Sequence, residues 1–557
     1  MPEQILPGTY ITVRDDALIS AGQVVTGNIG VVGTAAKGTI DEVQILGSFS
    51  EARDAFGESD AWRGGNQNEL TLLRALEQIF NNGGSTVYAV RTASGVVANA
   101  AYQTRKGATA LTKLTARTPG TWGNSIKITI SDAADDASVT ETLKGNAAAL
   151  HRAHVVANSP LNTIAVKQAS TGLILSYAIV YDAAPDNAKP QVGINSATGA
   201  LTFTTLANFA PVAADAIAAN YQVPAANSRK ADLVYGAIKE TYTAADASHL
   251  AEQVNARSAL VSAAPADESA FFNQAPDNTV GGRLFGTGLD GNTAGANGET
   301  ASADDYKDSL AKLENEIVNI VLLAGQDATN SQMVSALLGH INTTTEIRRE
   351  RIALMGSNGS DDLNTIAGHS LDSERMIFVA PGIRISGQSK LPGAYTAAAV
   401  AGLISSLPVQ SSPTNKTLAI PGVSVAFSSS QLEKLVMRRV LAVESRDGYR
   451  VVKGITTSTN SAWHQITTRR IVDYAIYGVR SASDPYIGKL NNDRVRAALK
   501  ATIDAFLTRM VDNEALIGYQ LDVSATRAQQ IAGECIVTMT IRPTFSIDFV
   551  VVTMYLG

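Results

Sequence analysis

Apolar residues recur along the first hundred positions with alternating strand and helix periods. Ile11 and Val13 share one face of a short strand within Tyr10–Arg14, and Ile29–Val32 is a continuous apolar run of strand length. SFSEARDAFG, from Ser48, predicts a short helix capped by Ser48 and terminated by Gly57. Leu70, Leu73, Leu76, Ile79 and Phe80 fall at helical spacing within 69–80, and STVYAVR, from Ser85, predicts a strand. Such alternation favours a sheet flanked by helices.

Between about Ala93 and Ala226 the pattern changes. Ala, Thr, Ser and Asn dominate, and short alternating runs such as SIKITI (from Ser125) and GALTFTTL (from Gly199) predict a separate β-rich domain inserted into the α/β one. The α/β rhythm resumes from Asp246, interrupted by a Gly/Asn/Asp-rich loop over 277–304. A helix from Asp305 to about Asn315, the strand IVNIVLLAG, a helix over 330–355, the strand MIFVAPG and a small-residue helix over 393–404 follow. Further on come helices over 431–436 and 466–479, a strand near 449–456, and a helix capped by Asn492 with Val495, Leu499, Thr502, Ile503, Phe506 and Met510 on one face. Strands are predicted over 521–525, over 534–542 and through the closing TFSIDFVVVTMYLG. Asp548 is the one charge in that closing run, and is expected on its less buried face.

A length of 557 residues implies several domains. Charged residues make up 17% of the chain, below the usual quarter or so, which suits a protein with much of its surface against other protein. The net charge of −6 argues against a nucleic-acid binder. Residues 431–557 hold sixteen Lys/Arg and twelve Asp/Glu, a net +4, leaving −10 for residues 1–430. Cys535 is the only cysteine, which excludes a disulfide framework; it is expected to be buried in a strand. MPEQILPG has no signal-peptide pattern, and no apolar run is long enough for a membrane span. A protein kept in a reducing cytoplasm is expected.

Catalytic signatures are missing. The glycines of GNIGVVGTAAKG lack dinucleotide-loop spacing, and Lys37 lacks the flanking residues of a phosphate loop. No Ser-centred elbow, zinc-binding His pair or paired-Cys motif occurs. His151 and His154 have no evident third ligand, and Asp290-Gly291-Asn292 reads as a turn rather than a calcium loop. No catalytic residue, metal site or cofactor is expected.

The residues carry a resemblance to a family. LPGTYITV followed by GNIGVVGTAAKGTIDEVQILGSFSEARDAFG resembles the opening of contractile phage tail sheath proteins, and GLDG with DDYKDSLAKLENEIVNIVLLAG is similar to their central domain. SPTNKTLAIPGV, WHQITTRRIVDYAIYGV, IGKLNNDRVRAALKATIDAFLTRMVDNEALIGY and the closing run resemble their C-terminal domain. PGTWGNSIKITI sits where the variable outer domain of the family begins. The resemblance covers roughly the first 95 residues and those after 235.

It implies a multidomain α/β fold. The expected parts are an N-terminal arm (1–20), the first part of the core (21–95), an inserted β-rich outer domain (96–230), a central α/β domain of subtilisin-like fold (231–410), an α+β C-terminal domain (411–545) and an arm strand (546–557). The implied function is structural and non-enzymatic: subunits form hexameric rings stacked helically around an inner tail tube, and contraction drives the tube through the host envelope. Partners would be further copies, the tube protein, and baseplate and neck or terminator proteins, with no nucleic acid and no membrane insertion. The location would be the virion tail, assembled in the bacterial cytoplasm. Tyr10, Ile11, Val13 and Arg14, and Ile547, Phe549, Val551, Thr553 and Tyr555, would add strands to neighbours. Lys489, Arg494, Arg496 and Lys500 would face an acidic tube. The alternatives are the sheath of a bacteriocin-like or other contractile injection particle, and a subtilisin-like hydrolase. A type VI secretion sheath fits less well, being usually divided between two polypeptides.

Overall fold

The computed structural model describes residues 25–60, 62, 70–150, 155–266, 276–286, 291–360, 362–385 and 390–554. Packing divides the chain into two units. One takes in the described residues up to Ala35, residues 40–93 and residues 300–557; the other takes in residues 36–39 and 94–299.

The first unit is built on a nine-stranded sheet. Its strands are β1 (Ile29–Gly33), β2 (Val43–Leu46), β3 (Val87–Arg91), β4 (Ile320–Asp327), β5 (Ile352–Gly356), β6 (Met376–Ala380), β7 (Thr417–Leu418), β8 (Leu441–Ser445) and β9 (Tyr449–Val451). Their spatial order is β2-β3-β1-β4-β5-β6-β8-β9-β7. Strands β3 through β8 in that order are parallel, while β2, β9 and β7 pair antiparallel at the ends. A parallel sheet is covered on both faces, so its strands read as unbroken apolar runs. Every position of β1, β5 and β6 is accordingly buried.

The covering helices are α1 (Phe49–Phe56), α2 (Leu72–Asn81), α3 (Ala303–Lys312), α4 (Ser331–Glu346) and α5 (Gly393–Ser406). Helices α1, α2 and α5 share one core with Ile29, Val31, Leu322 and Leu354; α3 and α4 share the other with Val32, Val321, Ala353 and Met355. Ser48 caps α1 by accepting from the Glu51 N–H. The small-residue surface of α5 admits α2 so closely that a Cβ on Gly402 would lie 2.3 Å from the Ile79 carbonyl oxygen.

One prediction fails here. The helix expected over 330–355 ends at Glu346, Arg348 has a positive φ of 67°, and residues 352–356 form β5 between β4 and β6. Ile352 and Leu354 enter one core and Ala353 and Met355 the other, so two-sided burial decides against helical continuation.

The C-terminal part of this unit has its own core. Helix α6 (Ile466–Ser483), helix α7 (Asp493–Asp512) and the antiparallel hairpin β10 (Leu516–Ser524) and β11 (Ile536–Pro543) enclose Ile471, Leu499, Ile503, Phe506, Leu507 and Met510. Asn492 caps α7 through the Val495 N–H.

The second unit is β-rich. Strands Ala137–Lys144, Thr163–Lys167, Ile174–Tyr181, Gln191–Ile194, Leu201–Phe203 and Ala216–Val223 form a six-stranded sheet. A second core gathers Trp122, Ile128, Leu233, Tyr242 and Leu250 around strands Lys127–Asp132, Arg229–Tyr235 and Ile238–Ala244 and helix Ala247–Arg257. Residues 231–299, expected in the central domain, lie in this unit. Arg229–Tyr235 pairs with Lys127–Asp132, and Ala296–Glu299 returns to pair with Ser94–Ala98. The expected loop over 277–304 thus contains short strands, Ala296–Glu299 and Arg283–Leu284.

Candidate assembly surface

The β10–β11 hairpin alternates in burial. Tyr519, Leu521, Val523, Val537, Met539 and Ile541 pack toward α7, while Ile517, Gln520, Asp522, Thr538, Thr540 and Arg542 face outward. It stays two-stranded among the described residues, so the main-chain groups along its open edges have no ladder partner there. A lone hairpin is marginal without a covering helix or further strands. Here α7 supplies the cover.

Residues 544–554 follow β11 without forming a strand, a correction to the pattern-based expectation for the closing run. No strand among the described residues lies alongside it to complete a ladder. Thr544 N–H donates to the Ala515 carbonyl at 3.1 Å, and Ser546 N–H to Gln465 Oε1 at 3.2 Å. Gln465 Nε2 donates to Asp548 Oδ2 at 3.4 Å, and Ser546 Oγ to Asp548 Oδ1 at 3.0 Å. Lys453 Nζ stands 3.4 Å from Asp548 Oδ2 and 5.2 Å from the centre of the Phe549 ring. Asp548 is therefore the inward residue, its side chain only 11% exposed. The expectation that it marks the less buried face is reversed, because its carboxylate has a lysine, an amide and a hydroxyl to satisfy it. The apolar residues point outward: Ile547 is 83% exposed, Val551 90% and Met554 84%, with Phe549 and Thr553 also exposed.

Helix α6 is fastened to the central sheet by buried charge. Arg375 holds Asp473 with two hydrogen bonds of 2.8 and 3.0 Å, and Arg469 reaches the same carboxylate at 2.6 Å and Glu374 at 2.8 Å. The Arg469 guanidinium lies 4.5 Å from the Trp463 ring centre. Burial is the largest influence on the Asp473 carboxyl and lifts it above the usual range, against the pull of Arg469 and Arg375. Arg470 donates to the carbonyls of Leu407 and Pro408, and burial lowers it to about 10. Arg480 pairs with Glu350 at 2.7 Å.

The other candidates scatter. Tyr10, Ile11, Val13 and Arg14 of the N-terminal arm, Tyr555, His151 and His154 lie outside the described residues. Arg494 is exposed on the first turn of α7. Arg496 is bound to Asp493 and Asn491 and is only 11% exposed, Lys500 stands 3.6 Å from Asp522, and Lys489 lies over the Tyr486 ring at 4.8 Å. Cys535 is exposed, contrary to expectation, because it precedes β11 and no layer of the described residues lies outside the hairpin. Lys37 lies 4.9 Å from the centre of the Trp122 ring. Among the described residues, no group of three or more His, Cys, Asp or Glu could hold a metal ion, and no helix is long and apolar enough to cross a membrane. Lys453 and Gln465 escaped the sequence reading because their role depends on contacts 83 or more residues away. The Arg469 and Asp473 pair did leave a signal, its i,i+4 spacing on a helix.

The fold is similar to that of two sheath tail proteins. The structure aligns with that of Desulfitobacterium hafniense over 96% of this chain and all of the other, at 14% identity and TM-score 0.56. It aligns with that of Listeria innocua over 94% and 93%, at 12% identity and TM-score 0.58. No curated protein is similar enough to match the chain. Residues 299–457 match the phage tail sheath protein central domain, and residues 458–557 the phage tail sheath C-terminal domain. Residues 299–557 therefore carry the central and C-terminal domains of a phage tail sheath protein. Domains of this kind are structural and non-enzymatic.

Proposed function

We propose that this chain polymerises as hexameric rings stacked helically around an inner tail tube, and that contraction of the stack drives the tube through a host envelope. The closing run crosses to the hairpin edge of a neighbouring copy, and the N-terminal arm through Tyr10–Arg14 does the same. The central sheet would have the subtilisin-like arrangement of the family. Baseplate and neck proteins would cap the stack, assembled in the bacterial cytoplasm. Arg494, with Lys489 and Lys500, would face the tube, while Arg496, held by Asp493 and Asn491, would brace the start of α7.

The observation that carries this is the apolar run beside an uncompleted hairpin. Such an exposed apolar stretch is an aggregation hazard in a monomer, whereas strand addition buries it and satisfies main-chain donors at roughly 0.5–1.5 kcal/mol each. Nine residues from Phe549 reach roughly 30 Å at about 3.3 Å each, enough to span a hairpin edge. Removing Phe549–Gly557 is expected to leave a folded monomer that forms no tubes. The check is circular dichroism together with negative-stain microscopy, and tubes of normal length from the truncated chain would refute the proposal.

A further inference from the structure

We propose that Asp548 is the root at which the exchanging arm is fastened to its own subunit, so that only Phe549 onward leaves. This rests on the strand-exchange reading above and adds to it the point where the fixed chain ends. From Thr544 to Phe549 the closing run is half-buried at 544, 546 and 548 and exposed at 545, 547 and 549, the strand-like alternation of a segment resting on a surface. From Phe549 to Met554 every residue is exposed. The boundary falls at the one carboxylate of the run.

The surface that receives Asp548 is held from two directions. Lys453 follows β9, while Gln465 is the N-cap of α6. An Ile455–Gln465 bridge joins the two segments, supported by Ile466 N–H donating to the Gly454 carbonyl at 3.3 Å and Thr456 N–H to the His464 carbonyl at 2.8 Å. Lys453 and Gln465 thus present a preformed cation and amide, and Ser546, two residues earlier in the run, closes the carboxylate's other oxygen. A flexible arm finds its acceptor more readily when its root is fixed, because fewer residues are ordered on binding. A charged contact suits such a root, because the Lys453–Asp548 pair is partly shielded, at 26% and 11% exposure, yet needs no apolar cover that would compete with the neighbour for the arm.

The opposite design uses the same contacts as a latch that holds the arm back until assembly. The two predict opposite signs. Asp548→Ala, Lys453→Ala and the exchange Asp548→Lys with Lys453→Asp are compared in the full chain by sedimentation, with circular dichroism to establish folding. An anchor predicts that each Ala variant raises the critical concentration for polymerisation about tenfold, from the freedom returned to about one residue, and that the exchange recovers most of the loss. Polymerisation at lower concentration than the wild type would overturn the anchor in favour of the latch, and unchanged polymerisation would overturn it outright. The chain lacking Phe549–Gly557 separates the two levels. If that chain fails to assemble while Asp548→Ala assembles normally, the anchor alone is wrong; if it assembles, strand exchange itself is wrong.

Discussion

Replacing Asp473 with Ala removes the carboxylate that two guanidiniums share. Arg469 and Arg375 side chains are 5% and 11% exposed, so neither can recover its hydration without moving. Arg469 would keep Glu374 and the Trp463 ring; Arg375 would keep the Arg351 carbonyl, at 3.1 Å, and the nearby charge of Glu350. Breaking a buried pair from one side costs about 3–5 kcal/mol, and the retained Glu374 contact places this variant near 3 kcal/mol. Urea unfolding followed by tryptophan fluorescence measures it, with Trp463 as a reporter at the site. Replacing all three residues with Met at 375, Leu at 473 and Met at 469 should be close to neutral, since no unpaired buried charge remains. A loss below about 1 kcal/mol for Asp473→Ala would refute the reasoning. A triple variant as unstable as the single one would show that packing, not charge, sets the cost.

His340 and Arg494 give two further tests. Burial, aided by the adjacent Arg351 charge, pushes the His340 imidazole down to about 3. The unfolded chain takes up that proton from about pH 6.5 downward while the folded one does not. The stability from this residue is therefore complete above pH 6.5 and is lost as pH falls toward 3. Between pH 7.5 and 5.0 the wild type should lose about 2 kcal/mol more than His340→Gln in urea unfolding; equal losses would contradict the assignment. Arg494→Glu should weaken co-sedimentation with purified tube while leaving self-assembly intact, whereas Arg496→Glu, which breaks the Asp493 and Asn491 contacts, should chiefly lower the melting temperature.

Much of the first unit could be read from the chain, for a physical reason. Buried parallel strands such as β1 and β6 are unbroken apolar runs, and the caps Ser48 and Asn492 announce their helices within three residues. What could not be read is long-range. The pairing of 229–235 with 127–132 joins segments a hundred residues apart, and that of 296–299 with 94–98, which carries the β-rich unit to residue 299, joins segments about twice as distant. β5 was hidden because Ile, Ala, Leu and Met suit a helix as well as a strand covered on both faces. At the candidate assembly surface the apolar run was legible and its inward residue was not. Lys453 and Gln465 lie far back in the chain, and only their convergence turns Asp548 from an interruption into a contact.

The pairing of Ser94–Ala98 with Ala296–Glu299 has a consequence for how such chains diversify. The polypeptide departs and returns on adjacent strands, about 5 Å apart, so the segment between them occupies the position of a hairpin loop. Closure entropy rises only slowly with loop length, and a socket of this kind accepts inserts of very different size so long as their own ends lie close together. The sequence between the two strands is then free to drift, shrink or be replaced by a foreign domain. Ala36–Thr39, which falls in the same compact unit as the insert, would have to change along with it.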